Sequence, residues 1–415
     1  MNFQEWLSMI RIKRGSKIIK TVVSLTPSKS ITNRLLIIQA LSEQKFKIAN
    51  QADADDSRTL ARILEDQPSI IDAKDAGTAF RFLTAFLSMQ PRTFILTGSE
   101  RMKMRPVGEL VRALQSLGAE INFLEHEDFP PLQINGKSLK GGEIKINASE
   151  SSQFISALLL IAPKFSDGLK LELTGKIYSR PYLSMTISLM RNFGIEIFDE
   201  GNEIYIPHQS YKPVDIKVEN DWSSASFWYE IAGLSERSEI TLIGLSKNSV
   251  QGDVVIAEIM EQFGIQSIVS GDDIILVKKS EAVLPVYFEY DFSDCPDLVI
   301  PVAVLCAVRK INSRFTGVKN LRIKESDRLV ALKEELQKFG VDLVLDYDSF
   351  LINSFSNVDV KEIFQAHNDH RMVMSLAPLA LIYDDVLIDD HLPVSKSYPD
   401  FWNHLVTAGF QCEII

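Results

Sequence analysis

The stretch ALKEELQKFGVDLVL, residues 331–345, has the form of a helix that ends at a glycine and runs directly into a strand. Apolar residues recur at helical spacing up to Phe339, and beyond Gly340 apolar and polar residues alternate as in a half-buried strand. Glycine at such a junction is typical of a left-handed C-cap. Four further stretches share this form: LVRALQSLGAEINF (110–123), ISLMRNFGIEIF (187–198), IAEIMEQFGIQSIV (256–269) and HLVTAGFQCEI (404–414). Their glycines lie 69 to 76 residues apart, which indicates one helix–strand unit repeated along the chain.

A second recurring element is a polar cluster that opens a long apolar run. Each copy predicts a helix with a Ser, Thr, Asp or Asn N-cap and with apolar residues on most faces, hence a buried helix. The six copies are SKSITNRLLIIQAL (28–41), AGTAFRFLTAFL (76–87), SSQFISALLLIA (151–162), SSASFWYEIAGL (223–234), CPDLVIPVAVLCAV (295–308) and NDHRMVMSLAPLAL (368–381). Six units are therefore predicted.

Six units of this size favour two globular domains over a solenoid, because a solenoid repeat usually has about 20 to 45 residues. We predict an α/β (α+β) fold of two similar domains with three units each. The polar segment 219–221 separates the third unit from the fourth. The N-terminal domain is predicted to span 28–219, and the C-terminal domain 220–415 together with 1–27, since chain termini often meet.

Composition excludes several classes of function. The chain of 415 residues carries 44 Lys+Arg against 55 Asp+Glu, a net charge of -11, so no overall basic field exists for nucleic acid or an anionic membrane. Three scattered cysteines and six histidines show neither CxxC nor HxxxH spacing, which predicts no disulfide framework and no metal site. The longest apolar run, 298–308, is shorter than the ~20 residues that span a bilayer. We expect a cytoplasmic protein.

Cations at the helix starts indicate a site for anions. A helix N-terminus carries about half a positive charge, so a Lys or Arg there is unfavourable unless an anion lies between. Lys29, Arg34, Arg81 and Arg371 occupy such positions, and two charged segments, SERMKMRPVGEL (99–110) and NLRIKESDRLVALKEEL (320–336), add more cations. Taken alone, each polar residue at a helix start is more simply explained as an N-cap. The second segment alone is more simply explained as a solvated helix start with i,i+3 and i,i+4 ion pairs.

Nine motifs in order carry a family resemblance. They are SKSITNR (28–34), DAGTAFR (75–81), RMKMRP (101–106), SSQF (151–154), YSRPY (178–182), SDCPD (293–297), NLRIKESDR (320–328), NDHRM (368–372) and SKSYPDF (395–401). The chain resembles the EPSP synthase family of enolpyruvyl transferases over nearly its whole length. The resemblance implies two domains of three inverse α/β units, with helix N-termini facing a cleft that holds the active site.

The resemblance also implies the reaction and its residues. The enolpyruvyl group of phosphoenolpyruvate would pass to the 5-hydroxyl of shikimate 3-phosphate, with release of phosphate. Residues implied for phosphoenolpyruvate are Lys29, Gly77, Arg105, Gln153, Arg328, Arg371 and Lys396. Those implied for shikimate 3-phosphate are Lys29, Ser30, Arg34, Ser151, Ser152, Gln153, Ser179, Tyr182, Asp297, Asn320 and Lys324.

Three residues are implied for the proton transfers. Asp297 would take the hydroxyl proton, Glu325 would protonate the methylene carbon of phosphoenolpyruvate, and Lys29 would assist. No cofactor and no catalytic metal is expected, and the two substrates are the only partners expected of a monomer. Two departures from the family pattern, TPSKS and AGTAFRF with Phe82 in place of proline, bear on affinity for substrates and inhibitors more than on the reaction.

Two alternatives remain at this point. The sister enolpyruvyl transferase that acts on UDP-N-acetylglucosamine shares the architecture, but its active-site loop commonly has a cysteine before an Arg-Pro pair, and the stretch 97–106 has none. A non-catalytic anion-binding relative would have lost Asp297, Glu325 or a cation of the site, and all are present.

Overall fold

The chain forms two compact units. A computed structural model describes residues 8–14, 16–281, 283–358 and 362–415. The N-terminal unit is Pro27–Val218, and the C-terminal unit is Met1–Thr26 with Glu219–Ile415. The sequence prediction places the two domain boundaries after residues 27 and 219. Residues 1–7, which it assigns to the C-terminal domain, lie outside the described part. Within the described ranges, no helix combines the length and apolar character needed to cross a membrane.

The helices and strands have the following bounds. The α-helices are α1 (Lys29–Leu41), α2 (Asp55–Asp66), α3 (Gly77–Leu87), α4 (Glu100–Lys103), α5 (Gly108–Ser116), α6 (Ser152–Ile161), α7 (Arg180–Asn192), α8 (Trp222–Leu234), α9 (Ile256–Glu261), α10 (Val299–Val308), α11 (Arg328–Gln337), α12 (His370–Leu376) and α13 (Phe401–Thr407). The strands are β1 (Ile10–Lys13), β2 (Ile18–Ser24), β3 (Ile48–Ala49), β4 (Ile70–Asp72), β5 (Thr93–Thr97), β6 (Glu120–Phe123), β7 (Leu132–Asn135), β8 (Gly142–Asn147), β9 (Leu169–Thr174), β10 (Phe198–Asp199), β11 (Glu203–Ile206), β12 (Ile216–Lys217), β13 (Arg237–Ile243), β14 (Ile265–Ser270), β15 (Asp273–Lys278), β16 (Tyr287–Asp291), β17 (Asn312–Thr316), β18 (Val341–Leu345), β19 (Ser349–Phe355), β20 (Val386–Ile388) and β21 (Gln411–Ile414).

Four sheets repeat one topology. Two strands pair in parallel, and a later hairpin adds two antiparallel strands with its second strand innermost. The sheets are β4-β5-β7-β6 and β8-β9-β11-β10 in the N-terminal unit, and β2-β13-β15-β14 and β16-β17-β19-β18 in the C-terminal unit. The remaining two copies are reduced to the pair β3-β12 and the three-stranded sheet β20-β1-β21. The predicted α/β fold of repeated units is confirmed.

The predicted glycine caps are present at all five junctions. Gly118, Gly194, Gly264, Gly340 and Gly409 have φ between 77° and 94°, a conformation that costs glycine least. The first amphipathic helix, α2, ends instead at Gln67 in the left-handed region.

The predicted polar N-caps are confirmed at three helices and wrong at three. Ser28, Ser151 and Asp369 accept a backbone N–H in the first turn of α1, α6 and α12. The cap of α8 is Asp221, two residues before the predicted stretch 223–234. In α3 the cap position belongs to Ala76, so that Thr78 lies inside the helix. Pro296 starts a 3₁₀ turn ahead of α10, and Asp297 lies within that turn without capping it.

The apolar helices form the centre of each unit. Helices α1, α3 and α6 contact one another in the N-terminal unit, and α8, α10 and α12 do so in the C-terminal unit. Helix α10, VIPVAVLCAV, is buried along all but its last residue. Because these helices are buried along most of their length, their first turns are the main places left to present polar side chains.

Candidate active site

The sheet topology explains which predicted residues meet. Parallel strands have their carboxyl ends at the same edge of the sheet, and each of these ends leads into a helix start. The connections after β4 and β5 carry Gly77 and Arg105, and those after β16 and β17 carry Asp297 and Arg328. Residues about 30 positions apart are therefore brought together within one repeat.

Arg34 is a fully buried cation in the N-terminal unit. Its Nε donates to Thr186 Oγ1 at 2.7 Å, and its Nη atoms donate to Ser30 O at 2.9 Å, Tyr182 O at 3.2 Å and Ser156 Oγ at 3.4 Å. Burial lowers the pKa of Arg34 to about 10. In the described residues every hydrogen-bond acceptor of this guanidinium is neutral, so its charge is not balanced by a carboxylate.

Lys29 begins α1 and already has an anionic partner. Its Nζ lies 3.0 Å from Asp56 Oδ2, and both side chains are largely buried. An anionic ligand at Lys29 would therefore compete with Asp56 or share the ammonium with it.

The serine cluster lies at the starts of α6 and α7. Ser151 caps α6, and Gln153 in the first turn donates from Nε2 to Thr78 Oγ1 at 3.0 Å. Ser152 is the first residue of α6. Ser179 precedes α7 with φ 60° and makes no capping hydrogen bond, so its buried hydroxyl is not used by the helix.

Gly77 and Arg105 are in close contact. A Cβ atom built on Gly77 would lie 2.5 Å from Arg105 Nη1, so only glycine leaves the guanidinium in this position. Arg105 is itself buried.

In the C-terminal unit, Arg328 joins the two predicted catalytic carboxylates. It is 1% exposed and donates to Asp297 Oδ1 at 3.1 Å, to Glu325 Oε2 at 2.8 Å and to Asp369 Oδ2 at 2.7 Å. Burial lowers the pKa of Arg328, but the charges of Asp369, Glu325 and Asp297 outweigh burial and raise it. Glu325 is only 13% exposed in its side chain, so the solvated i,i+3 pair considered from the sequence is wrong.

Two further predicted cations contact the same carboxylates. Arg371 Nη2 lies 2.9 Å from Asp297 Oδ2, and Nη1 donates to Asp297 O at 3.2 Å. Lys396 Nζ lies 3.7 Å from Glu325 Oε1. Asn320 is buried in the 3₁₀ helix Lys319–Ile323, and Lys324 follows it, half-buried.

Asp253 is a buried carboxyl near this cluster that the sequence did not single out. It lies in the 3₁₀ helix Gly252–Val255 and accepts a hydrogen bond from Ser223. Burial and then the charge of Asp297 raise its pKa to about 7. Asp56 was missed as well, and Asp369 was predicted only as a helix cap, because no local pattern marks the partner of a distant cation.

Comparison with known proteins gives the family. The family model described as EPSP synthase (3-phosphoshikimate 1-carboxyvinyltransferase) matches residues 64–405. The chain belongs to the EPSP synthase family. The matched range contains every predicted site residue except Lys29, Ser30 and Arg34.

Relatives of the EPSP synthase family match almost the whole chain. A 3-phosphoshikimate 1-carboxyvinyltransferase of Bacteroides fragilis (strain YCH46) is 43% identical over 399 residues, which cover 95% of this chain and 97% of the relative. One of Vibrio atlanticus (strain LGP32) is 34% identical over 412 residues, covering 92% and 95%. The solved EPSP synthase of Acinetobacter baumannii superposes with a TM-score of 0.75 at 22% identity and covers 98% of this chain and 100% of that one, which supports the fold.

Proposed function

We propose that the chain transfers the enolpyruvyl group of phosphoenolpyruvate to the 5-hydroxyl of shikimate 3-phosphate, releasing phosphate, as the names of its relatives imply. The observation that carries this proposal is the Arg328 cluster. Inside the range that matches the family, one buried guanidinium binds both carboxylates, Asp297 and Glu325, that the reaction would need. A relative that only bound anions would gain nothing from two carboxylates in its anion site.

Shikimate 3-phosphate is assigned chiefly to the N-terminal unit. Arg34 supplies a buried positive charge whose protein partners are neutral, which suits a phosphate or carboxylate ligand. The hydroxyls of Ser30, Ser151, Ser152, Ser179 and Tyr182, with Gln153, would contribute neutral hydrogen bonds. The family resemblance also assigns Asn320, Lys324 and Asp297 to this substrate.

Phosphoenolpyruvate is assigned to the cations Arg328, Arg371 and Lys396, with Lys29, Arg105 and Gln153. Asp297, Glu325 and Asp369 already balance the first three of these charges. An incoming trianion would compete for the guanidinium N–H groups, and the carboxylates that give up those contacts become able to exchange protons. Substrate binding and activation of the carboxylates would then be one event.

The proposed steps conserve atoms and charge. The 5-hydroxyl oxygen bonds to C2 of phosphoenolpyruvate while Asp297 takes the hydroxyl proton and Glu325, in its protonated form, delivers a proton to C3. The Glu325 carboxylate then takes a proton back from the new methyl group, the C2–O bond to phosphate breaks, the enol ether double bond forms, and the departing phosphate takes up the proton held by Asp297. Arg328, Arg371 and Lys396 would stabilise the charge on the departing phosphate.

The cellular location, oligomeric state and partners of the enzyme are part of the same proposal. The chain would act in the cytoplasm as a monomer on two small anions, without nucleic acid, membrane or cofactor. The net charge of -11 supports the first exclusion, and the free thiols of Cys295, Cys306 and Cys412 suit a reducing compartment.

Phosphate release tests the function. Phosphoenolpyruvate should yield phosphate with shikimate 3-phosphate and not with UDP-N-acetylglucosamine or without an acceptor. Release with UDP-N-acetylglucosamine alone would identify the sister activity. No release with either acceptor, from protein shown to be folded, would identify a non-catalytic relative.

A further inference from the structure

We propose that Glu335 is a positioning residue for the Arg328–Asp369–Arg371 cluster, acting through the segment 363–369 that leads into α12. The proposal rests on the function proposed above. Glu335 lies on α11, its side chain is fully buried, and it touches none of Asp297, Glu325 or Arg371 by hydrogen bond or ion pair among the described residues.

The Glu335 carboxylate accepts hydrogen bonds from two residues of this segment and from Lys338, which itself binds the segment. Its Oε1 lies 2.8 Å from His367 Nε2, and its Oε2 accepts the backbone N–H of Gln365 at 2.9 Å. Lys338 donates to Oε2 at 2.7 Å and also to the carbonyl of Ile363 at 2.8 Å. The buried carboxylate therefore holds the segment by a backbone group, a side chain and an ammonium bridge.

The segment needs such restraint because of its backbone. His367 and Asn368 have φ of 52° and 51°, two successive left-handed residues of which neither is glycine. This conformation is costly for residues with a Cβ atom and persists only where neighbouring contacts impose it. Asp389 assists by accepting the N–H of Ala366 at 2.7 Å.

Directly after this pair comes Asp369, which orients the candidate site. Its carboxylate accepts from Arg328 Nε at 2.7 Å, from Ser326 Oγ at 3.2 Å and from the backbone N–H of Arg371 at 3.0 Å. A change in the path of residues 367 and 368 would move this carboxylate, and with it both guanidinium groups.

Helix α11 holds the segment on both sides of the left-handed pair. Arg328 begins the helix and binds Asp369, whereas Glu335, two turns and roughly 10 Å further along, binds His367 and Gln365. The two anchors share one rigid element, so the distance between them is fixed. Removing Glu335 would leave the segment tied to α11 through Asp369, Lys338 and the longer approach of Glu334 Oε2 to His367 Nε2 at 4.0 Å.

The test separates positioning from simple stability. Glu335→Gln and His367→Ala should each raise KM for phosphoenolpyruvate tenfold or more, with KM for shikimate 3-phosphate changed less than about twofold, because a small displacement of charged groups is costly. His367→Gln keeps an N–H donor and should restore near-normal values. Leu276→Ala, in the core of β15 and away from the segment, is the matched control for lost stability and should leave both KM values unchanged.

Two results would overturn the proposal. One is an unchanged KM for phosphoenolpyruvate in both Glu335→Gln and His367→Ala; the other is a loss of activity that only follows the loss of folded protein, as in Leu276→Ala. His367 is partly exposed, so its variants should fold even if Glu335→Gln does not. Amide hydrogen exchange of residues 363–376 gives a readout without turnover and should accelerate in both variants, so this proposal and the proposed function can fail separately.

Discussion

Asp297 and Glu325 contact the same guanidinium, and their neutral replacements should remove turnover while leaving the fold intact. Asp297→Asn and Glu325→Gln keep volume and a hydrogen-bond acceptor for Arg328, which also retains Asp369. Loss of a positioned proton-transfer group should lower the single-turnover rate by ~10² to 10⁴. Glu289→Gln, at an exposed ion pair with Arg314, is the control and should turn over normally. A variant that melts lower yet keeps its rate would remove that residue from the mechanism.

Gly77 allows the close approach of Arg105, and Gly77→Ala should damage binding more than folding. The new Cβ would meet the flexible end of the Arg105 side chain, which can move away without disturbing the backbone. We expect KM for phosphoenolpyruvate to rise by about tenfold, equivalent to ~1.4 kcal/mol. Steady-state kinetics and a thermal melt decide the matter. A large fall in melting temperature with KM unchanged would contradict this interpretation of the contact.

At the level of elements, the C-terminus of α8 creates a pH dependence of stability. Lys278 donates to the carbonyls of Gly233 and Ser235 at 2.7 and 2.6 Å, and Arg309 donates to the same two. Burial and then the charge of Arg309 lower the pKa of Lys278 from 10.5 to about 7. Between these two pKa values the unfolded chain holds a proton on Lys278 that the folded protein lacks. The contribution of Lys278 to the free energy of unfolding therefore rises with pH. Below about pH 7 the folded protein bears the whole cost of burying the charged ammonium.

Lys278→Met should abolish this contribution. Urea denaturation of both proteins between about pH 7.5 and 9 should show the stability of the wild type rising against the variant by up to ~1.4 kcal/mol per pH unit. Parallel curves would mean that Lys278 stays charged in the folded protein.

The elements also show how far sequence reasoning extends. Gly118 and its four counterparts mark helix ends because a left-handed residue is a local requirement, and local requirements are visible in a pattern. The prediction that Thr78 and Asp297 cap their helices was wrong. Composition alone does not show that a helix starts two residues earlier or that a 3₁₀ turn precedes it. The cations Arg34 and Arg328 were found from motifs, whereas Asp56, Asp253 and Glu335 were not, because their partners are set by tertiary structure.

For the whole molecule, shikimate 3-phosphate should stabilise the folded chain, and Arg34 should carry most of that effect. A ligand that binds only the folded state at 100 times its Kd adds about 2.7 kcal/mol to the free energy of unfolding. In Arg34→Ala the loss of a buried charged contact should weaken binding by ~2 to 5 kcal/mol and remove the shift in melting temperature at the same ligand concentration. Arg371→Ala, assigned to phosphoenolpyruvate, is the matched arginine control and should keep the shift. A shift retained in Arg34→Ala and lost in Arg371→Ala would reverse the assignment of the two substrates.

Because β2 pairs with β13, it stays unpaired for a long interval while the chain is synthesised on the ribosome. Ile18 of β2 pairs with Arg237 of β13, about 220 residues later in the chain. At roughly 5 to 20 residues per second, strand β2 waits about 10 to 45 s for its partner, while all of Pro27–Val218 is synthesised in between. During that interval the alternating residues of β2, with Ile19 and Val23 later buried, form an unpaired apolar edge on the nascent chain. Strand β2 is thus left unprotected while the whole N-terminal unit is synthesised, and chaperone binding at that stage should concentrate there.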